Sequence, residues 1–226
     1  VDIVLGIEST AHTFGASVVA DDDVLSDEKA SYTTESGGMV PYDVADHHRS
    51  HWYDVVDNAL SAASVSVDDV DGIAYSQGPG LGHCLRVGAA VAKSLAVQTE
   101  TPLLPVNHCV AHLEVGRLKT GCDDPVLLYV SGANTQVIAY QGRRYRVFGE
   151  TLDMGVGNFL DSLGREFGFG FPAGPRIEAE AEESDNYMAL PYSVKGMDVS
   201  LGGLFTDVKR RYHNGGADVN DLCHSV

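Results

Sequence analysis

The pattern that most restricts the fold of this chain is a triplet of strands that occurs twice. Residues 2–6, 15–20 and 24–31 read as three strands separated by polar turns such as Asp21-Asp22-Asp23. Residues 126–131, 135–140 and 145–149 repeat that meander in the second half. Helical periodicity follows each triplet. Pro41 marks a helix start, and Val44, Ala45, His48, Trp52, Val55, Val56, Ala59 and Leu60 then recur at helical spacing. A strand at 72–76 and an apolar helix over 85–97 come next, and the second meander is followed by helical segments at 156–167 and 176–183.

Two lobes that each open on a meander and add helices resemble the duplicated α/β architecture of actin, hexokinase and Hsp70, in which a nucleotide occupies the cleft between lobes. The expected division is a first lobe over residues 1–102 and a second over 103–226. The second copy reads as truncated, its closing strands and helices lying past Val226. The chain starts at Val1 and ends on Leu222-Cys223-His224-Ser225-Val226 with no stop signal, so either end is a candidate fragment boundary.

Charge and cysteine usage narrow the setting. With 32 Asp and Glu against 15 Lys and Arg, the formal net charge is −17, and lysine occurs only at 29, 93, 119, 195 and 209. Such an excess keeps a protein soluble at high salt and makes it repel itself in dilute buffer, which suggests a halophilic source. It argues against a broad nucleic-acid face, leaving Arg143, Arg144, Arg146, Arg210 and Arg211 as candidate local basic spots. Four cysteines without a C-x-x-C pair fit a reducing cytoplasm, and no apolar run approaches the ~20 residues of a membrane span.

The best candidate for a metal site is His108 and His112, four residues apart and therefore on one face of a helix. The run Pro102-Leu103-Leu104-Pro105-Val106 reads as a strand feeding into that helix, and strand ends are where α/β folds place chemistry. A zinc peptidase would need Glu after the first His, and that place is Cys109. The cluster Asp46-His47-His48-Arg49-Ser50-His51 reads instead as a solvated helix face. Two glycine- and hydroxyl-rich meander turns, Gly6 to Thr10 and Ser131 to Thr135, occupy the same place in each copy and read as a pair of phosphate-binding loops. The loop Gln77 to Gly82 lacks the Gly-Lys-Ser/Thr of a P-loop and reads as a rigid strand-to-helix turn.

Six strings in this order, GIESTAH at 6–12, SQGPGLG at 76–82, VNHCVAH at 106–112, LYVSGANTQ at 128–136, YRVFGETLD at 145–153 and LPYSVKGMD at 190–198, closely resemble the TsaD family in its archaeal and eukaryotic KEOPS-subunit form. The resemblance spans essentially the whole chain and implies an actin-like (ASKHA) fold. It implies transfer of threonylcarbamoyl from threonylcarbamoyl-adenylate to the exocyclic amine of the adenosine beside the anticodon, in tRNAs reading codons that begin with A. It also implies one divalent metal, iron in preference to zinc, on His108, His112 and Tyr129, with a further Asp from a part of the family's sequence beyond Val226. The donor is expected on Tyr129, Val130, Ser131, Gly132, Ala133, Asp161, Gly174 and Glu178, with ATP or an adenylate in the interlobe cleft. KEOPS-type partners including a small kinase, and tRNA reached through that complex, complete the implied assembly. Where the family commonly has glycine, this chain has Ala133 and Ala173, and a methyl there would strain any turn needing positive φ. A metallopeptidase and a scaffold paralogue are the competing functions; Cys109 disfavours the first, and retention of both histidines the second.

Overall fold

The computed structural model describes residues 2–226, which divide into two compact units. The first runs through Tyr32 and resumes over Met39–Thr120; the second combines Thr33–Gly38 with Gly121–Val226.

The first unit is built on β1 (Ile3–Glu8), β2 (Thr13–Ala20), β3 (Asp23–Ser31), β4 (Gly72–Gly78) and β5 (Leu103–Asn107), in sheet order β3-β2-β1-β4-β5. The first three strands form the expected antiparallel meander, while β4 pairs parallel with β1 and β5 parallel with β4. Alternation along the strands selects one face: Leu5 lies opposite Val18 and Ile7 opposite Ala16, and all four are buried. Onto that core pack Val55, Val56 and Ala59 of α1 (Pro41–Ala63) and Val91, Ala92 and Ala96 of α2 (Gly82–Thr99). Helix α3 (His108–Thr120) follows β5 without an intervening loop, its start capped by Asn107, whose Oδ1 accepts from the Val110 N–H at 3.2 Å. The first unit therefore continues past the boundary expected at residue 102. The reason is strand pairing: Leu103, Leu104 and Pro105 align with Ile73, Ala74 and Tyr75, which ties β5 and the helix it feeds to the first sheet.

The second unit opens with β6 (Val126–Val130), β7 (Thr135–Tyr140) and β8 (Tyr145–Glu150), an antiparallel sheet in sequence order. Its core is helical. Phe159, Leu163 and Phe167 make an i, i+4, i+8 stripe on α4 (Val156–Phe167) and pack with Ile177 of α5 (Gly174–Glu182). Val208 of α6 (Gly202–His213) and Leu222 of α7 (Val219–Ser225) close that cluster. Strands β9 (Ser193–Lys195) and β10 (Asp198–Ser200) form a short hairpin. Asp153 accepts from the N–H groups of Leu201 and Gly202 at 3.0 and 2.8 Å, which fixes the start of α6. No helix among the described residues is long and apolar enough to cross a membrane.

Candidate functional site

In the first unit the glycine- and hydroxyl-rich turn after β1 is closed by its own protein partners. The Thr10 N–H donates to Glu8 Oε1 at 2.6 Å, and the Ser9 N–H donates to Ser76 Oγ at 3.3 Å. The Leu81 N–H donates to the Thr10 carbonyl at 2.7 Å, so the loop after β4 lies directly on the turn. Gly80 makes that approach possible, since a Cβ there would stand 2.5 Å from the Thr10 carbonyl oxygen. The phosphate-loop expectation for Gly6 to Thr10 is therefore corrected: the N–H groups of Ser9 and Thr10 are already spent inside the fold.

What the turn presents instead is a carboxylate. Glu8 Oε2 lies 3.0 Å from His108 Nδ1, and Thr10 Oγ1 lies 3.2 Å from the same nitrogen. Burial by itself would raise the Glu8 carboxyl, but hydrogen bonds with His108 and Thr10 outweigh it and hold the group down at about 2. The Glu8 carboxylate takes the Nδ1 side of His108, which favours the tautomer carrying its proton on Nδ1 and its lone pair on Nε2. The His112 ring stands 4.5 Å from the His108 ring, centroid to centroid, and edge-on to it. Lost hydration, then the neighbouring His108, lower the His112 imidazole against an opposite pull from Glu8. Two imidazoles so placed are a nitrogen donor set chemically suited to a divalent metal. Among the described residues no three His, Cys, Asp or Glu side chains converge closely enough to hold a metal by themselves.

The expected solvated cluster on α1 is only partly solvated. Asp46 pairs with Arg49 on the outer face, but His48 points inward and is fully buried, its Nε2 2.9 Å from the Ala11 carbonyl and its Nδ1 without a partner. Burial, with His47 and His12 adding to it against the Ala11 bond and Glu8, pulls this imidazole down to about 4.

In the second unit the corresponding turn is open. The Ser131 N–H donates to the Asn134 carbonyl at 2.8 Å and the Asn134 N–H to Ser131 Oγ at 3.1 Å, while the N–H groups of Gly132 and Ala133 have no partner among the described residues. The turn is braced from behind by the start of α4. The N–H groups of Gly157 and Asn158 donate to the carbonyls of Ser131 and Gly132 at 3.1 and 2.9 Å, and that of Val156 to Thr135 Oγ1 at 2.9 Å. Here too glycine permits the approach, for a Cβ at Gly155 would stand 2.6 Å from the Gly132 carbonyl oxygen. One helical turn on, Asp161 Oδ1 accepts the Ala173 N–H at 2.9 Å, tying α4 to the start of α5, where Gly174 and the exposed Glu178 follow. Hydrogen bonds thus join Ser131 and Gly132 to the start of α4, and Asp161 of α4 to Ala173, which leads into the helix carrying Gly174 and Glu178. Tyr129 and Val130 precede the turn on β6, Tyr129 buried and Val130 half exposed. The strain expected of the two alanines is absent: neither Ala133 nor Ala173 has a positive φ, and Ala173 sits at −86°.

Sequence reasoning missed Glu8 as the partner of His108, although the residue stood in a quoted string; nothing local pairs positions 100 apart.

A family model described as TsaD: tRNA N6-adenosine threonylcarbamoyltransferase matches residues 23–226. The tRNA N6-adenosine threonylcarbamoyltransferase of Thermococcus sibiricus is 50% identical over 223 residues, covering 99% of this chain and 68% of that protein. Among solved structures, component A of the Acidaminococcus fermentans (R)-2-hydroxyglutaryl-CoA dehydratase matches with a TM-score of 0.56 at 12% identity, over 98% of this chain and 72% of that one. HypF of T. kodakarensis matches with a TM-score of 0.53 at 12% identity, over 98% and 38%. At such identities these two show the fold alone, and it is the α/β, actin-like architecture expected from the doubled meander.

Proposed function

This chain belongs to the TsaD family of tRNA N6-adenosine threonylcarbamoyltransferases, and from that premise we propose how its own residues divide the reaction. The donor is threonylcarbamoyl-adenylate and the acceptor is the exocyclic amine of the adenosine 3′ of the anticodon. A C–N bond forms at the carbamoyl carbon as its C–O bond to the adenylate phosphate breaks, AMP leaves, and the amine gives up one proton to solvent. The observation that carries this reading is the pair of unpartnered N–H groups at Gly132 and Ala133, on a turn that the start of α4 holds rigid. Preorganised donors of that kind stabilise the negative charge of a leaving phosphate without reorganising.

Asp161 and Glu178 accept hydrogen bonds from the ribose hydroxyls, and Gly174 leaves room for the sugar, since a Cβ there would come no nearer than 3.9 Å to the Leu160 side chain. The proposed metal ligands are His108, His112 and Tyr129, with iron preferred to zinc; the bound ion would supply Lewis acidity toward a donor oxygen. Glu8 fixes the His108 tautomer. Because the attacking group is the substrate's own amine, no covalent nucleophile on the protein is required, and positioning supplies much of the rate. The peptidase reading has no support at the position that matters, since Cys109 follows His108 where a general-base Glu would stand. Partner subunits of KEOPS type, including a small kinase, supply the rest of the tRNA surface.

The test is direct. A non-hydrolysable donor analogue should raise the melting temperature of the chain where threonine alone does not. In a reconstituted mixture with partner subunits, donor-forming enzyme and tRNA, mass spectrometry should detect threonylcarbamoyladenosine. An analogue that leaves the melting temperature unchanged overturns the donor site.

A further inference from the structure

The five arginines that stand out in the sequence part company in the structure. Arg210 and Arg211 share the single carboxylate of Asp207, Arg211 Nε at 2.7 Å, so half of their charge is compensated. Arg143, Arg144 and Arg146 occupy the tip of the β7–β8 hairpin, all three exposed, and none makes an ion pair among the described residues. In a chain of net charge −17, three uncompensated guanidinium groups within four positions are a marked local exception.

The backbone of the tip strengthens the point. Gly142 and Arg143 have φ of 61° and 65°, and the Gln141 N–H donates to the Arg144 carbonyl at 2.9 Å, a two-residue turn with both central residues in the left-handed region. Glycine is the residue such a turn prefers at its second position; this chain places an arginine there despite the steric cost of its Cβ. Arg146 Nε–H donates to the Gln141 carbonyl at 3.3 Å, which holds its guanidinium over the turn. Beside it the rings of Tyr140 and Tyr145 meet edge-on at 5.2 Å, Tyr140 half exposed. Asp123 and Asp124 precede β6 at the same end of the sheet and form no ion pair with these arginines. Glu150 lies at the far end of β8, engaged by Gln136.

The geometry points to the β7–β8 hairpin tip as a contact surface for the phosphate backbone of tRNA. Planar guanidinium groups grip phosphate oxygens in pairs, and arginine and tyrosine planes accept unstacked bases. This combination favours RNA over an acidic peptide, which would use the charge and leave the aromatic pair without a role. The inference rests on tRNA being the acceptor, and the experiment separates the two.

Fluorescence anisotropy with a labelled, unmodified tRNA transcript is measured across a KCl series for the 226-residue chain, for R143A/R144A/R146A and for the corresponding triple lysine variant. R143A/R144A, which keeps the Arg146 brace, guards against a misfolded hairpin. The triple alanine variant should bind at least about tenfold more weakly at low salt, with the slope of log affinity against log salt falling by roughly two to three. The lysine variant should retain most of the slope, and the donor-analogue thermal shift should be the same in all four proteins. Equal affinity and slope in parent and both alanine variants overturn the hairpin while leaving the donor site standing. A parent chain that binds no tRNA overturns it as well, and the analogue shift then tells whether the transferase reading survives. Displacement by poly-glutamate in preference to tRNA reassigns the patch to an acidic protein partner.

Discussion

The two glycine- and hydroxyl-rich turns begin from nearly the same composition and end in opposite states. After β1, the N–H groups of Ser9 and Thr10 are satisfied by Ser76 and Glu8, and the turn offers a carboxylate to His108. After β6, the N–H groups of Gly132 and Ala133 stay open while the carbonyls behind them are held by α4. A duplicated fold has thus put two different kinds of chemistry at equivalent places. What differs is the neighbour: a loop carrying Gly80 closes the first turn from the front, and a helix start carrying Gly155 braces the second from behind.

Acid separates the turns most strongly. His48 lies against the first turn through the Ala11 carbonyl, and its folded value of about 4 is below that of an exposed imidazole. Above pH ~6.5 both folded and unfolded forms are neutral and the full stability is present. As pH falls from there toward about 4, the unfolded form takes up a proton that the folded one refuses, and stability is lost, on the order of 3 kcal/mol in all. Amide exchange should accelerate at Ser9 and Thr10 over that window, and His48→Gln should flatten the response. A pH dependence of the same size in the variant would remove His48 as its cause.

The buttressing glycines should dissociate the two sites. A methyl on Gly155 meets the backbone at Gly132, Ala133 and Asn134, and one on Gly80 meets the Thr10 backbone. Each substitution by alanine should cost about 1–3 kcal/mol by overpacking. Gly155→Ala should abolish the donor-analogue shift and spare metal binding, and Gly80→Ala should do the reverse. If both variants lose both ligands, the turns do not act separately.

Asp161 gives the smallest and most discriminating effect. Its Oδ1 holds the Ala173 N–H. Asp161→Asn keeps a carbonyl oxygen for that bond, so its stability should stay near the parent's, whereas Asp161→Ala should cost about 1 kcal/mol as a lost cap. Both should weaken analogue binding, measured by calorimetry. Parent-like affinity in the asparagine variant would confine Asp161 to holding α5.

Much of this was legible in the sequence. Period-two runs placed both meanders, and the helical stripe from Val44 to Leu60 placed α1, because local backbone geometry is what periodicity reports. The histidine pair was visible for the same reason. The β9–β10 hairpin was missed: its strands are three residues each, too short to show alternation, although Gly196 at φ 68° marks its turn. Which turn could take an anion was not legible either, since the answer depends on Ser76, 67 positions from Ser9, and on which groups a later helix start consumes. Glycine content shows that a backbone can be approached; it does not show by what.

One thread of the fold bears on how the chain comes into being. Thr33–Gly38 belongs to the second unit, where Thr34 and Phe171 exchange N–H to carbonyl bonds at 2.9 and 3.1 Å and Gly170 leaves no room for a Cβ against the Thr34 carbonyl. The six residues emerge from a ribosome before most of the first unit exists, and their partners arrive only after about 130 more have been made. They must wait unpaired through that interval. Cleaving the gene between its halves would leave them on the other fragment, so the second half expressed alone should be less stable than one given residues 33–38 at its head.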